Sequence, residues 1–165
     1  MTKFAAIAEV ALFYADASAL VKLIRDETES DALRAFVGDA DLLSSELVLT
    51  EIPRAIRRAV AHDPDLPLEA LLEKAGEILD AVALLPLERA VLIAAGALDE
   101  PALRALDAIH VSAACDVAPF DAFVSYDERQ SAAARLVGLR TVAPMSPSDD
   151  DEEESPESRE RLEGR

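Results

Sequence analysis

The chain has 165 residues, 51% of them apolar and 4% aromatic, with 33 acids against 16 bases for a net charge of −17. That length builds one domain with a full core rather than two independent ones, and so much apolar material excludes disorder for the body of the chain. A charge of this sign excludes a general nucleic-acid coat, because non-specific attachment to phosphate is driven by cationic side chains; contact with a phosphate backbone would need a bridging cation.

The stretch Phe4 to Ala15 is apolar, but Glu9 interrupts it and only Lys3 precedes it. It reads as a leader followed by a buried strand, Val10 to Ala15, rather than as a secretory segment. Ser18 is placed to cap a helix over Ala19 to Asp26, and Glu29 to Val37 is a second amphipathic helix. Asp41 to Ser44 predicts a strand, with Ser45 as the cap of the next helix. Pro53 near the start of that helix is tolerated in its first turns or marks a kink; Arg54, Arg57 and Arg58 then form a basic face.

Pro67 to Asp80 predicts a helix opening on proline. Ala81 to Leu87 suits a buried strand, Glu88 to Ala95 a helix closed near Gly96, and Pro101 to Cys115 a strongly periodic helix. Phe123 to Tyr126 is a strand, Glu128 to Val137 a helix with Gly138 as its C-cap, and Arg140 to Val142 a last strand stopped by Pro144. Strands separated by helices imply right-handed crossovers and an α/β fold with a parallel sheet covered on both faces.

Residues 146–165 carry nine acids and three bases, a charge of −6 out of −17, so −11 remains on the body. The expected division is a folded domain over 1–145 and a solvated acidic tail over 146–165. A lone cysteine, Cys115, offers neither a disulfide partner nor a zinc-ligand pair, and a place in the core suits it. No stretch reaches membrane-spanning length without a charge or a proline. A cytoplasmic location is the expectation.

Ligands of an open parallel sheet sit outside the carboxyl ends of its strands. Asp16 ends the first strand and Asp127 the strand Phe123 to Tyr126. Glu51 lies early in the helix after the second strand, and Asp107 lies among Leu106, Ala108 and Ile109, where an acid is costly unless paired or bound to metal. Taken singly, each acid is an ordinary cap, turn or helix-dipole residue.

Together they carry a particular local wording. YADASALVKL, with Asp16 and Ser18, resembles the opening motif of the PIN-domain family, especially the VapC toxins of toxin–antitoxin pairs. SSELVLTEIPRAIRR, with Glu51, resembles the family's second motif, and LRALDAIHVSAA, with Asp107, its third and most specific one. FVSYDERQSAAARLVGLRTVAP, with Asp127, resembles the closing motif. All four occur in order between residues 14 and 144.

The resemblance implies a single three-layer domain with a five-stranded parallel sheet and an acidic pocket for Mg²⁺ or Mn²⁺. It implies endonucleolytic cleavage of RNA by a metal-activated water, leaving 5′-phosphate and 3′-hydroxyl ends. Asp16 and Asp107 would bind the principal metal, and Glu51 and Asp127 would complete that site or help hold a second ion. Ser18 and Ser125 flank the acids and would hydrogen-bond to them or to a metal-bound water, or serve as an ordinary cap and strand-end residue. A small antitoxin that blocks the pocket and homodimerisation are also implied. Two departures stand out: about ten residues precede the first strand, and the acidic tail lies outside the resemblance.

Lys22, Arg25, Arg54 and Arg58 are the candidate contacts for RNA phosphates on an otherwise acidic body. His110, three residues after Asp107, is read as a packed or hydrogen-bonded histidine rather than a ligand, and His62 as a surface residue. Two rivals remain: a catalytically silent interaction module of the same fold, and a Mg²⁺-dependent phosphatase or phospho-receiver with Asp16 as nucleophile. The second usually pairs its aspartate with another acid two residues on or with a late-strand lysine; here Ser18 stands two residues on, and Lys74 is the last lysine of the chain.

Overall fold

Alternate residues of β1 (Leu12–Ala15) point to opposite faces of the sheet, and each face meets its own helices. The computed structural model of the protein describes residues 10–146. The expected leader before Val10, and the acidic tail beyond Ser146, lie outside the described residues.

After β1 come α1 (Ala17–Ile24), α2 (Ser30–Val37), β2 (Asp41–Ser45), α3 (Val48–His62), α4 (Leu68–Ala81) and β3 (Ala83–Leu85). There follow α5 (Arg89–Gly96), α6 (Ala105–Val117), β4 (Ala122–Val124), α7 (Glu128–Leu136) and β5 (Thr141–Val142). The five strands form one parallel sheet in the order β3-β2-β1-β4-β5. Chain order therefore runs outward from β1 on one side and from β4 on the other, so the direction switches between these two central strands. A cleft opens at such a point outside the strand ends.

Phe13 and Ala15 of β1, with Ala122 and Val124 of β4, pack against buried side chains of α1 to α4, among them Leu20, Leu33, Ile52 and Leu71. Tyr14 and Phe123 face the other way, stack on each other with ring centroids 5.2 Å apart, and pack against a layer from α5, α6 and α7 that includes Val91, Val111 and Ala134. This is the three-layer α/β arrangement expected from the alternation of elements. Ile52 is fully buried, and its truncation to alanine costs about 2–5 kcal/mol by cavity formation. None of the helices among the described residues is long and apolar enough to cross a membrane.

Several boundaries differ from expectation for local reasons. Asp16, not Ser18, caps α1: its side chain accepts from the Ala19 backbone N–H at 2.9 Å, and Ser18 lies inside the first turn. Ser45 ends β2 as a paired strand residue, and α3 starts three residues later. Pro53 lies inside α3, which runs on to His62 despite the missing donor. Residues 101–104 form a turn, so α6 opens at Ala105 and puts Asp107 in its first turn. Strand β3 is an edge and only half covered, not buried. Cys115 is exposed rather than core. Gly138, at φ 89°, follows α7 and donates to the Arg135 carbonyl at 3.0 Å, the left-handed step that glycine makes without strain.

Candidate active site

The parallel register of β1 on β4 pairs Ala15 with Val124, and the Asp16 N–H continues the ladder to the Val124 carbonyl at 3.1 Å. Asp16 is therefore set by the central sheet itself. Asp16 is 3% exposed, and both of its carboxylate oxygens accept hydrogen bonds. Oδ1 accepts from the Ser18 hydroxyl at 2.7 Å and from the Ala19 N–H at 2.9 Å; Oδ2 accepts from the Ser125 hydroxyl at 2.7 Å. Ser18 Oγ accepts in turn from the Tyr126 N–H at 2.8 Å, tying β1 to the loop after β4. Burial pushes the Asp16 carboxyl above the ordinary aspartate range, with His110 and the Ser18, Ala19 and Ser125 donors pulling the other way.

Asp127 caps α7 by accepting from the Arg129 and Gln130 N–H groups at 2.9 and 3.0 Å. Glu51, in the first turn of α3, accepts at Oε2 from His110 Nε2 at 2.8 Å. Asp107 is different. Its Oδ2 is buried and meets no hydrogen-bond donor among the described residues. Burial raises its pKa, and the negative charges of Asp127 and Asp16 raise it further against the opposing pull of Arg104.

These four acids line one cleft of about 580 Å³, so chain segments far apart in sequence converge on it. They do not form a closed ligand cage: among the described residues no three His, Cys, Asp or Glu side chains are grouped tightly enough to enclose an ion. Asp16 and Asp127 are partly spent on capping and Glu51 on His110. The donor set nevertheless fits a hard cation. It is all oxygen, it includes an orphaned buried carboxylate oxygen, and such ions keep several waters and take few direct carboxylates.

The expected cations divide into two pairs. Arg54 and Arg58 line the cleft and are exposed, with no salt bridge among the described residues. Lys22 lines it too, but its Nζ is held by Glu27 at 2.8 Å and Glu29 at 2.6 Å and lies 4.8 Å above the Tyr126 ring. Arg25 is bound to Glu27 at 3.0 Å and opens on a neighbouring depression shared with Arg58 and His62. His62 is exposed, as expected.

Three residues of the site escaped the sequence reading. Gln130 lines the cleft and is 1% exposed; its place three residues after the Asp127 cap is the capping-box spacing, which could have drawn attention to it. Thr50 also lines the cleft, and Tyr14 hydrogen-bonds His110 from beneath. Nothing in the local wording marks either.

Comparison with known proteins agrees with this fold. The PIN-domain family model matches residues 13–136. Ribonuclease VapC35 of Mycobacterium tuberculosis is 40% identical over 140 residues, covering 81% of this chain and 97% of that protein. Ribonuclease VapC46 of the same organism is 36% identical over 148 residues, covering 82% and 99%. Among solved structures, M. tuberculosis VapC20, a sarcin-ricin loop cleaving toxin, superposes with a TM-score of 0.61 at 17% identity over 80% of this chain and 99% of that one. VapBC2 from Rickettsia felis, bound to a DNA fragment from its promoter, gives 0.58 at 12% identity over 81% and 98%. The fold, the four acids in their order and these relatives lead to one conclusion: the chain belongs to the PIN-domain family, among the VapC ribonucleases.

Proposed function

We propose that the cleft holds a cation of the magnesium class, Mg²⁺ or Mn²⁺, and that the protein is the toxin of a toxin–antitoxin pair, cutting RNA internally to leave 5′-phosphate and 3′-hydroxyl ends. The observation that carries this reading is the donor-free, buried Oδ2 of Asp107 in the cleft that also receives Asp16, Glu51 and Asp127. Asp16 and Asp107 are the proposed direct holders, with Glu51 and Asp127 completing the site. When bound, the cation offsets charge on the scissile phosphate and acidifies a water for in-line attack.

The chain's own residues do the rest. Ser18 and Ser125 pin the two oxygens of Asp16, so its carboxylate needs no reorganisation when an ion arrives. Arg54 and Arg58 supply the positive charge that an RNA backbone needs on an acidic body. A cognate antitoxin protein, a homodimer and a cytoplasmic location belong to the same reading. The exposed Leu92 and Ile93 of α5 give apolar surface for a second chain.

Incubation with RNA and Mn²⁺, with and without EDTA, followed by end mapping, tests the proposal. Cleavage that leaves 5′-phosphate ends and stops with EDTA or in Asp16→Asn is expected. Cyclic-phosphate ends, or cleavage indifferent to EDTA, would overturn it.

A further inference from the structure

A buried polar chain reaches the cleft from the core. Tyr14 of β1 is fully buried, His110 of α6 is 1% exposed, and both stand behind Glu51. His110 Nδ1 lies 3.0 Å from the Tyr14 hydroxyl and 3.4 Å from Ser45 Oγ, and Nε2 lies 2.8 Å from Glu51 Oε2. The Tyr14 and His110 rings meet edge to face, with centroids 6.0 Å apart.

An imidazole placed this deep is costly unless both nitrogens are satisfied. The surroundings do this. Nε2–H donates to the Glu51 carboxylate, which has only acceptors to offer, and Nδ1 pairs with the Tyr14 hydroxyl, as acceptor in the neutral ring or as donor in the imidazolium. Burial pushes the Tyr14 phenol well above its ordinary value, so it keeps its proton. With both nitrogens committed, His110 has no lone pair left for a metal.

We infer that His110 is a positioning residue: braced by Tyr14, it pins Oε2 of Glu51 and leaves Oε1 as the oxygen that Glu51 presents to a cation. Glu51 has the longest side chain of the four acids and, among the described residues, no backbone donor of the kind that fixes Asp16 and Asp127. Without His110 its carboxylate is free to turn, and the cation site loses one prepared ligand. The inference rests on the reading of the cleft as a cation site.

Calorimetric titration of Mn²⁺ into the RNA-free protein tests it. His110→Leu is expected to weaken binding about 10- to 100-fold, the usual effect of losing a partner that orients a ligand. His110→Gln, whose amide can donate from near the Nε2 position, recovers most of the affinity, and Tyr14→Phe gives a smaller loss. In a Glu51→Ala background, His110→Leu adds no further loss. Wild-type or tighter Mn²⁺ binding by His110→Leu overturns the inference, as does an equal loss in the Glu51→Ala background. If His110→Leu does not fold, Tyr14→Phe carries the test, and unchanged affinity there overturns it. A folded wild type that binds no Mn²⁺ removes the cation reading itself, and this inference with it.

Discussion

Ser125 donates its hydroxyl to Asp16 Oδ2 across 2.7 Å, although the two residues stand 109 positions apart in the chain. The hydrogen bond follows from the pairing of β1 with β4, which brings the residues just past both strand ends to the same level. A shift of the register would separate them. The central sheet therefore holds the acid that the cleft depends on.

Ser125→Ala leaves Asp16 Oδ2 without its donor and removes the acceptor of the Asp127 N–H. Leaving buried groups unpaired costs about 1–3 kcal/mol. Urea denaturation of the metal-free variant measures this, and a loss below a few tenths of a kcal/mol would show that the hydrogen bond is not maintained in solution.

Asp127 combines two jobs that substitution can separate. Asparagine keeps an oxygen for the Arg129 and Gln130 N–H groups, so Asp127→Asn is expected to hold stability within a few tenths of a kcal/mol while weakening Mn²⁺ binding. Asp127→Ala loses the cap as well and costs about 1 kcal/mol. Equal stability of the two variants would remove the capping role.

Burial raises Asp16 and Asp107 above the ordinary aspartate range, so in metal-free protein the folded state holds these protons more tightly than the unfolded chain. Their penalty is fully present above the raised values and is relieved as pH falls towards the unfolded value. Asp26, held low by its hydrogen bond to Arg34, and Glu29, held low by Lys22, keep their contributions until pH falls to the ordinary carboxylate range, below mild acidification. The thermal midpoint of metal-free protein should therefore rise on mild acidification from neutral pH. The slope should flatten in Asp16→Asn and with saturating Mn²⁺. An identical slope in Asp16→Asn would contradict this.

Reversing Arg54 and Arg58 to glutamate is expected to weaken binding of single-stranded RNA about tenfold or more. It should lower the slope of log affinity against log salt by about 0.7 for each phosphate that is no longer neutralised. Calorimetric Mn²⁺ affinity should survive, and Arg25→Ala, whose guanidinium is already paired with Glu27, should change little. Unchanged RNA affinity in the double reversal would discard the assigned path.

The element order and the four acids were legible because strand and helix periods alternate cleanly and the motifs stand in order. What escaped depended on contacts between distant segments. Ser45 carries a cap-like residue type, yet β3 pairs with it and extends the strand. Residues 101–104 continue the helical pattern of α6, but Arg104 is extended and the helix starts after it. Lys22 and Arg25 look like free cations until the turn between α1 and α2 folds Glu27 and Glu29 back onto them. The join between His110 and Glu51 spans 59 positions and two helices, with no local signature.

Whether the four acids share a cation is decided by anomalous diffraction from Mn²⁺-soaked crystals. A single strong peak is expected in the cleft, about 2 Å from a carboxylate oxygen of Asp16 or Asp107. A cleft without a peak under saturating Mn²⁺, or a peak only at surface acids elsewhere, would contradict the shared site.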